Sequence, residues 1–518
     1  MKTIVIFYDE NSKYSKEKIF NGKSAVELTS QWAASLKLPF FTLKSASLSE
    51  LLCDMKDICT KEKAETVVFS YIDLPFLDTS LAQKIIDSHI EYKSEYTFAD
   101  GYPYGFAPEA LNAGTIGILA ELSKTTQKKL GQQAVSRDGI YNLIKTDINS
   151  FDVETVIADT DWRLLRFSFH CGKKDNFMQC KALADAAGSV DESADRAEVL
   201  SEIASKNIGC LKTVPGFYNI QIADKVDFDS VYLPYCKAYQ QRNGNSPVTL
   251  NTPEKAVMTY EKCASLIDQI ADLSENAVIS LSAWGEPLYH PDFLKIVEKI
   301  LSYPGLSLFL ETDGLLVTPD LCLKLSQIAS SAEPRTHQWQ KIMIAVTLDA
   351  VTEQTYQKLH KNSPEGAFQT ALNAVALLQN ALPGCIYPQF VRMNDNEDEL
   401  EGFFRYWDEK TNPSGGNLII QKYDDFAGLL PECKPADLSP LDRDPCWHLR
   451  RDLTILSNGD VPACRACVLS GIQGNVFTQP LKEIWHKTDD ILENHINKNY
   501  CTNCANCEKC DEWYTFNF

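Results

Sequence analysis

The chain has 518 residues, 50 of them basic and 70 acidic, so its formal net charge is −20 at pH 7. At roughly 150 residues a domain, this length predicts about three domains, each large enough to bury a core. So negative a chain repels phosphate backbones, and we expect no nucleic-acid binding. No stretch approaches about 18 consecutive apolar residues, and the N-terminal sequence is not typical of a signal peptide. We therefore expect a cytoplasmic protein with no membrane partner.

The first region, residues 1–205, predicts an α/β domain. Because runs typical of strands alternate with segments of helical periodicity, we expect parallel pairing and a doubly wound sheet. The polar stretch at 188–196 and the turn Pro215–Gly216 bracket its end. The predicted strands are Thr3–Tyr8, Pro39–Leu43 and Thr66–Asp73, and the predicted helices are Ser24–Leu36 and Leu48–Cys59.

The second region, residues 225–435, alternates more regularly. Six strands joined by five crossover helices predict a partial (β/α)6 barrel or a doubly wound sheet, and right-handed crossovers suit both. In either fold, ligand-binding residues are expected just after the strands. The predicted strands are Phe228–Leu233, Ala277–Ala283, Ser307–Thr312, Ile342–Asp349, Ile386–Met393 and Leu418–Tyr423, and the predicted helices are Pro253–Ala271, Pro291–Leu301, Thr318–Ile328, Phe368–Leu378 and Glu397–Trp407.

The third region, residues 436–518, is short and rich in cysteine. Disulfides are not expected in a reducing cytosol, and so small a segment is usually held together by metal. Seven thiols exceed one tetrahedral zinc site, and the final CxxCxxCxxC run is more typical of iron–sulfur ligation; zinc and buried unligated thiols are the alternatives. The candidate ligands are Cys446, Cys464, Cys467, Cys501, Cys504, Cys507 and Cys510.

This tail resembles the SPASM extension of radical S-adenosylmethionine (SAM) proteins. Cys446, the G-x4-C element that ends at Cys464 and the dense 501–510 group follow its outline, with landmarks at 474–475 and 483–485. The resemblance implies auxiliary [4Fe-4S] clusters. Two clusters take eight thiolates and seven are present, so we expect one complete cluster. Cys467 is the weakest candidate because it lies just past the G-x4-C position.

The middle region resembles a radical SAM barrel. After the predicted second strand come Trp284, Gly285, Glu286 and Pro287, which are similar to the GGEP motif that contacts the methionyl amine of SAM. The turn 311–314, with Asp313 and Gly314, and the segment 347–360 are similar to the family's later motifs. The resemblance implies a SAM site at these residues. Glu286 is alternatively a buried, hydrogen-bonded acid or a carboxylate at a helix N-terminus.

The CxxxCxxC motif that defines the family is absent from this chain. If Cys236 stands at the first position, Gln240 and Asn243 stand at the other two. Neither amide replaces a thiolate on a [4Fe-4S] cluster. We therefore expect no radical-generating cluster in the barrel, whereas SAM binding stays open.

The N-terminal region resembles cytidylyltransferase-like nucleotidyltransferases at residues 21–24, 71–78 and 102–109. Residues 9–12, of which Asp9 and Glu10 are acidic, replace the family's triphosphate-binding loop, and His170 stands where a second metal-binding Asp is expected. This leaves Asp73 as a single carboxylate where Mg²⁺ takes more. Asp73 alternatively caps the following helix. We expect a degenerate domain.

Across the whole chain, this order of regions, with the segments 391–409 and 510–518, resembles spiro-SPASM proteins. The radical SAM/SPASM resemblance implies an iron–sulfur protein whose substrate is a peptide or a small metabolite. The sequence leaves open whether it is an enzyme. The alternatives are a non-catalytic scaffold held together by metal, or a nucleotidyltransferase active in the N-terminal region.

Overall fold

A computed structural model of the protein describes residues 2–130, 134–188, 196–231, 257–335, 339–428, 430–467, 471–500 and 507–515. They form two compact units, Met1–Thr213 and Val214–Phe518. No helix in these ranges is both long and apolar enough to cross a bilayer.

Unit 1 is built on a six-stranded mixed sheet with the strand order β2-β1-β3-β5-β4-β6. β1, β2 and β3 pair in parallel, as the sequence predicts. The strands are β1 Thr3–Tyr8, β2 Phe40–Leu43, β3 Thr66–Tyr71, β4 Tyr96–Asp100, β5 Glu109–Asn112 and β6 Val153–Ile157, and the helices are α1 Ala25–Ser35, α2 Leu48–Glu62, α3 Thr79–Glu91, α4 Ala113–Leu130, α5 Gly139–Lys145, α6 Lys174–Ala187, α7 Arg196–Lys206 and α8 Ile208–Leu211.

The expectation of a doubly wound parallel sheet is wrong at β5, which runs antiparallel to both β3 and β4. The connection from β4 to β5 covers only residues 101–108. A parallel crossover takes about a dozen residues or more, so the chain returns antiparallel. Polar caps set the helix starts: Ser24 and Glu27 form a reciprocal capping box on α1, and Ser47 caps α2.

Unit 2 contains a seven-stranded sheet with the order β14-β13-β11-β10-β9-β7-β15, and all its adjacent pairs are parallel. This is the curled half-barrel that the second region predicts. Strand β11 is buried at every position, as expected for a parallel strand covered on both faces. The sheet strands are β7 Phe217–Ile220, β9 Ala277–Ser280, β10 Leu306–Thr312, β11 Ile342–Thr347, β13 Ile386–Arg392, β14 Ile419–Lys422 and β15 Asp452–Ile455.

Amphipathic helices cover the half-barrel, and short elements complete unit 2. Thr259, Thr318 and Thr352 cap the starts of α9, α11 and α12. The helices are α9 Tyr260–Ser274, α10 Phe293–Leu301, α11 Pro319–Ser331, α12 Glu353–Leu359, α13 Ala367–Ala381, α14 Leu400–Trp407, α15 Trp447–Arg451, α16 Leu481–His486 and α17 Asp489–Ile496, and the short strands are β8 Asp229–Ser230, β12 His360–Lys361, β16 Asp460–Pro462 and β17 Ile472–Asn475.

The first barrel strand lies earlier than the sequence predicts. β7, at 217–220, is the strand next to β9, whereas the described part of the predicted strand Phe228–Leu233, residues 228–231, pairs through Asp229 and Ser230, antiparallel to β12. Both runs favour extended structure, but the earlier one has a parallel partner on each side, β9 and β15. Tertiary pairing therefore decides between two runs of similar propensity.

The third region, residues 436–518, which we call the C-terminal module, joins both the sheet and the apolar core of the barrel. β15 extends the sheet beside β7, and Trp485 on α16 is 1% exposed in the same apolar cluster as the barrel strands. Along the chain, Cys446 and Cys464 therefore lie on either side of an edge strand of the barrel sheet.

Candidate functional site

A pocket lies at the carboxyl ends of β9, β10 and β11, where a parallel barrel is expected to bind ligands. It contains about 520 Å³ of space free of atoms, a volume that includes the part open to solvent. Four of its lining residues are acidic, so it suits a cationic ligand. The lining residues are Val226, Asp227, Phe228, Ser230, Ser282, Gly285, Glu286, Glu311, Thr312, Asp313 and Thr347.

The turn after β9 forms one wall of the pocket and depends on a close backbone approach. A Cβ atom at Gly285 would stand 2.0 Å from the carbonyl oxygen of Ala223. Trp284, just before it, has a φ of +53°, in the left-handed region. Gln221 holds this turn by donating its amide to the Trp284 carbonyl at 3.3 Å. Glycine is therefore required at 285 to bring the turn against the loop that follows β7.

Glu286 is the most constrained acid of the pocket. It is 5% exposed, and its carboxylate accepts hydrogen bonds from the Thr312 hydroxyl and from the amides of Asp313 and Leu288, each at 3.0 Å. Burial, followed by repulsion from Asp313, raises the pKa of Glu286 well above its ordinary value. A cation in the pocket would favour the ionised form.

Asp313 and Asp227 form a second pair of carboxyl groups in the pocket. Asp313 accepts the amide of Leu315 at 2.9 Å, and Asp227 accepts a hydrogen bond from the Tyr289 hydroxyl. Burial and the neighbouring Asp227 raise the pKa of Asp313 to about 7. The charge of these carboxyl groups therefore depends on the ligand that occupies the pocket between them.

The six residues that the sequence predicts for a SAM site fall in two groups. Gly285, Glu286 and Asp313 line the pocket, whereas Trp284, Pro287 and Gly314 are not among its lining residues. The Trp284 side chain packs in a separate cluster with Val391 and Leu456. Asp227 was not predicted as a site residue, because it stands in a loop that carries no motif.

Several cysteine thiols of the C-terminal module converge. The sulfurs of Cys464 and Cys467 are 3.5 Å apart. Burial and the nearby Cys464 raise the pKa of Cys446 to about 11, and burial with Cys446 and Cys464 raises that of Cys510 well above its ordinary value. Buried thiols that disfavour one another's charge fit a centre whose metal supplies the opposing charge.

Cys507 is also buried, 9% exposed, whereas the predicted ligands Cys501 and Cys504 lie outside the described residues, as do Cys236, Gln240 and Asn243. Across the described ranges, no three histidine, cysteine or carboxylate side chains stand together at the spacing of one metal ion. In a multi-iron cluster each thiolate binds a different iron, which spreads the sulfurs further.

A network of buried charges lies beside these cysteines, and the sequence analysis did not find it. Arg465 pairs with Asp424 at 2.7 Å and with Glu512 at 3.6 Å. Lys422, on β14, pairs with Asp511 at 2.8 Å and with Glu512 at 3.1 Å. The network joins the last barrel strand to the segment that follows Cys510.

In unit 1, Asp73 is bound by an arginine that the sequence analysis missed. Arg137 donates to both Asp73 oxygens and reaches Glu10 at 3.0 Å. His170 lies 3.8 Å from Asp73, and burial lowers its pKa well below the ordinary value. Asp73 is not a helix cap, because α3 is capped by Asp78. These residues do not fit Mg²⁺, since a guanidinium already neutralises the carboxylates.

Two family models match unit 2. The model described as the radical SAM superfamily matches residues 234–406, and SPASM, described as an iron–sulfur cluster-binding domain, matches residues 446–511. An uncharacterized protein of Treponema pallidum (strain Nichols) is 38% identical over 387 residues, which cover 73% of this chain and 98% of that relative.

Solved structures give more distant similarities. BtrN in complex with AdoMet and 2-DOIA is 15% identical with a TM-score of 0.35, over 57% of this chain and 94% of BtrN. Streptococcus suis SuiB bound to the precursor peptide SuiA is 13% identical with a TM-score of 0.40, over 63% and 76%. A cytidylyltransferase from Leptospira borgpetersenii is 14% identical with a TM-score of 0.30, over 39% and 94%.

The two family models occur in the order that a radical SAM protein with an auxiliary cluster domain requires, and the T. pallidum relative is matched over almost its whole length. The chain therefore belongs to the radical SAM/SPASM family.

Proposed function

We propose that the acidic pocket of unit 2 binds SAM and that the C-terminal module holds at least one [4Fe-4S] cluster. The observation that carries the proposal is Glu286, a buried carboxylate fixed by Thr312 and the Asp313 amide at the edge of an open pocket. SAM carries an ammonium and a sulfonium, and each gains from a carboxylate in a partly desolvated site. Gly285 brings the turn close enough to contact the ligand.

The proposed cluster is held by Cys446, Cys464 and thiolates of the 501–510 group, with Cys467 as a further candidate. When bound, such a cluster supplies one-electron transfer or an anchoring iron for a substrate. The chain's own contribution is to bury the thiols and to hold Arg465 and Lys422 beside them. Their charges are balanced by Asp424, Asp511 and Glu512, so these ion pairs tie the cysteine segments to β14 and add no net positive charge.

We propose further that the barrel does not cleave SAM reductively, because Gln240 and Asn243 stand where thiolates are needed. A peptide or small metabolite remains the proposed partner. The alternative is a scaffold in which metal has only a structural role. We also propose that unit 1 is a nucleotidyltransferase-like domain without activity, supported by the Arg137–Asp73 pair that takes the place of a metal.

The first experiment measures iron, sulfide and zinc in protein purified without air. About four iron and four sulfide per chain, lost in a Cys446→Ala, Cys504→Ala variant, would support the cluster. Stoichiometric zinc from cells supplied with iron would contradict it.

Calorimetric titration with SAM tests the pocket. Glu286→Gln should weaken binding at least tenfold, a change of about 1.4 kcal/mol, because it removes the negative charge. Glu298→Gln, the same change on the exposed surface of α10, should have no effect. Absence of SAM binding by the unaltered protein would support the scaffold alternative.

A further inference from the structure

His495 lies in the C-terminal module with one ring nitrogen engaged. It is on α17, is 1% exposed, and packs edge-on against Tyr500 with ring centroids 4.9 Å apart. Its Nδ1 atom accepts the backbone amide of Cys446 at 3.4 Å. An accepting Nδ1 carries no proton, so the imidazole is neutral and its proton is on Nε2.

The Nε2–H of His495 is a buried donor without an acceptor. Its nitrogen is inaccessible to solvent and has no hydrogen-bond partner in the described part of the chain. Buried polar groups almost always have a partner, so this donor is available to an acceptor, such as a bound group, that the described residues do not supply. The amide bond to Cys446 places the ring beside a predicted cluster ligand.

We propose that His495 donates a hydrogen bond from Nε2 to a sulfur of the iron–sulfur centre held by Cys446. Sulfide and thiolate sulfurs are the acceptors that such a centre offers to a neutral donor. His495 is a positioning residue and not a ligand, because its only proton-free nitrogen, Nδ1, already accepts the Cys446 amide. The inference rests on the proposed cluster.

The consequence of this bond is electrostatic. A donor aimed at a cluster sulfur stabilises the form with more negative charge, which is the reduced one, and so raises the reduction potential. Removing the donor is therefore expected to lower the potential while leaving the thiolate ligands in place.

The test uses the full-length protein, purified without air and labelled with ¹⁵N only in histidine. Pulsed EPR of the reduced cluster is expected to show a weak ¹⁵N coupling that disappears in His495→Gln and His495→Leu. The midpoint potential should fall in His495→Leu and return towards the original value in His495→Gln, whose side-chain amide restores a donor. His486→Leu, at a half-exposed position on α16, is the control and should change neither signal.

The outcomes separate this inference from the proposed function. If the purified protein holds no iron–sulfur cluster, the proposed function fails and this inference fails with it. If the cluster is present without ¹⁵N coupling, or the potential of His495→Leu is unchanged, only the hydrogen bond is overturned. A strong coupling typical of a directly bound nitrogen would also overturn it. Should His495→Leu not assemble the cluster, the labelled unaltered protein and His495→Gln still decide.

Discussion

In unit 1, the guanidinium of Arg137 donates one hydrogen bond to each carboxylate oxygen of Asp73, at 3.1 and 2.8 Å. The same guanidinium reaches Glu10 and lies 4.5 Å from the centre of the Tyr71 ring. A fixed cation thus stands where the nucleotidyltransferase resemblance implies a metal. Unlike an exchangeable ion, it compensates the charge of Asp73 without a contribution from the solvent.

Arg137→Met should destabilise unit 1 by about 3–5 kcal/mol, because it leaves the buried carboxylate of Asp73 without its guanidinium partner. Urea unfolding followed by circular dichroism measures the loss. Adding Asp73→Asn should recover part of it, since the second change removes that uncompensated charge.

Arg163→Met is the matched control for that experiment. Arg163 pairs with Asp161 and Asp100 in the same unit but is 61% exposed, so its loss should change stability by less than about 1 kcal/mol. Equal losses of unfolding free energy in Arg137→Met and Arg163→Met would show that the buried pair contributes no more than the exposed one.

Since Arg137 takes the place of a metal, the unaltered protein should gain no thermal stability from Mg²⁺.

Gly285→Ala should destabilise unit 2 by about 1–3 kcal/mol and abolish SAM binding. The added Cβ would overlap the Ala223 carbonyl, so the turn must move away from the loop after β7. Thermal unfolding and calorimetric titration check the two effects.

Gly402→Ala on α14 is the control, because its Cβ would meet nothing closer than 3.9 Å. Alanine is the better helix former by about 1 kcal/mol, so this change should be neutral or stabilising. If Gly285→Ala binds SAM as tightly as the unaltered protein does, the close approach of Gly285 to the Ala223 carbonyl is not needed for SAM binding.

Asp313 should make the stability of unit 2 depend on pH. Its folded-state pKa, about 7, lies above the unfolded value of about 3.9, so the folded state holds the proton more tightly. Its stabilising contribution is complete below the unfolded pKa, decreases as pH rises towards 7 and is lost above it. The slope is at most one proton per chain, or about 1.4 kcal/mol per pH unit.

Urea unfolding at pH 5, 6 and 7.5 measures this dependence, and Asp313→Asn should remove its share of the slope. Asp320→Asn, on the exposed start of α11, should leave the slope as it was. A slope that survives in Asp313→Asn would assign the proton to another group of the pocket.

Cys464→Ser should lower the bound iron of anaerobically purified protein by at least half, because the hydroxyl is a poor iron ligand. Cys53→Ser, at a half-exposed position in unit 1, should leave the iron content unchanged. Full iron occupancy in Cys464→Ser would remove this residue from the ligand set.

The sequence predicted the helices, strands and turns that are specified by the pattern of neighbouring residues. Alternating helices and strands identified the half-barrel, and the order of short motifs after its strands located Glu286 and Asp313. Periodicity could not choose between the two extended runs around residues 217–233, because their partners are supplied by distant parts of the chain.

The site residues that the sequence did not predict were missed for the same physical reason. Asp227 and His495 belong to no motif, and their roles come from the atoms that surround them in the fold. Arg137 is far from Asp73 along the chain, so nothing in the sequence around Asp73 indicates that its charge is already compensated.

The pairing of β15 with β7 has a consequence for biosynthesis. The first strand of the half-barrel finds one of its two neighbours only when the chain has been made as far as β15, long after β7 itself. Until then β7 is an edge with unpaired amides and carbonyls, the kind of surface that joins other chains. Completion of unit 2 is therefore a late, long-range and slow event. A chain interrupted before residue 452 should be prone to aggregation even though most of its barrel has been synthesised.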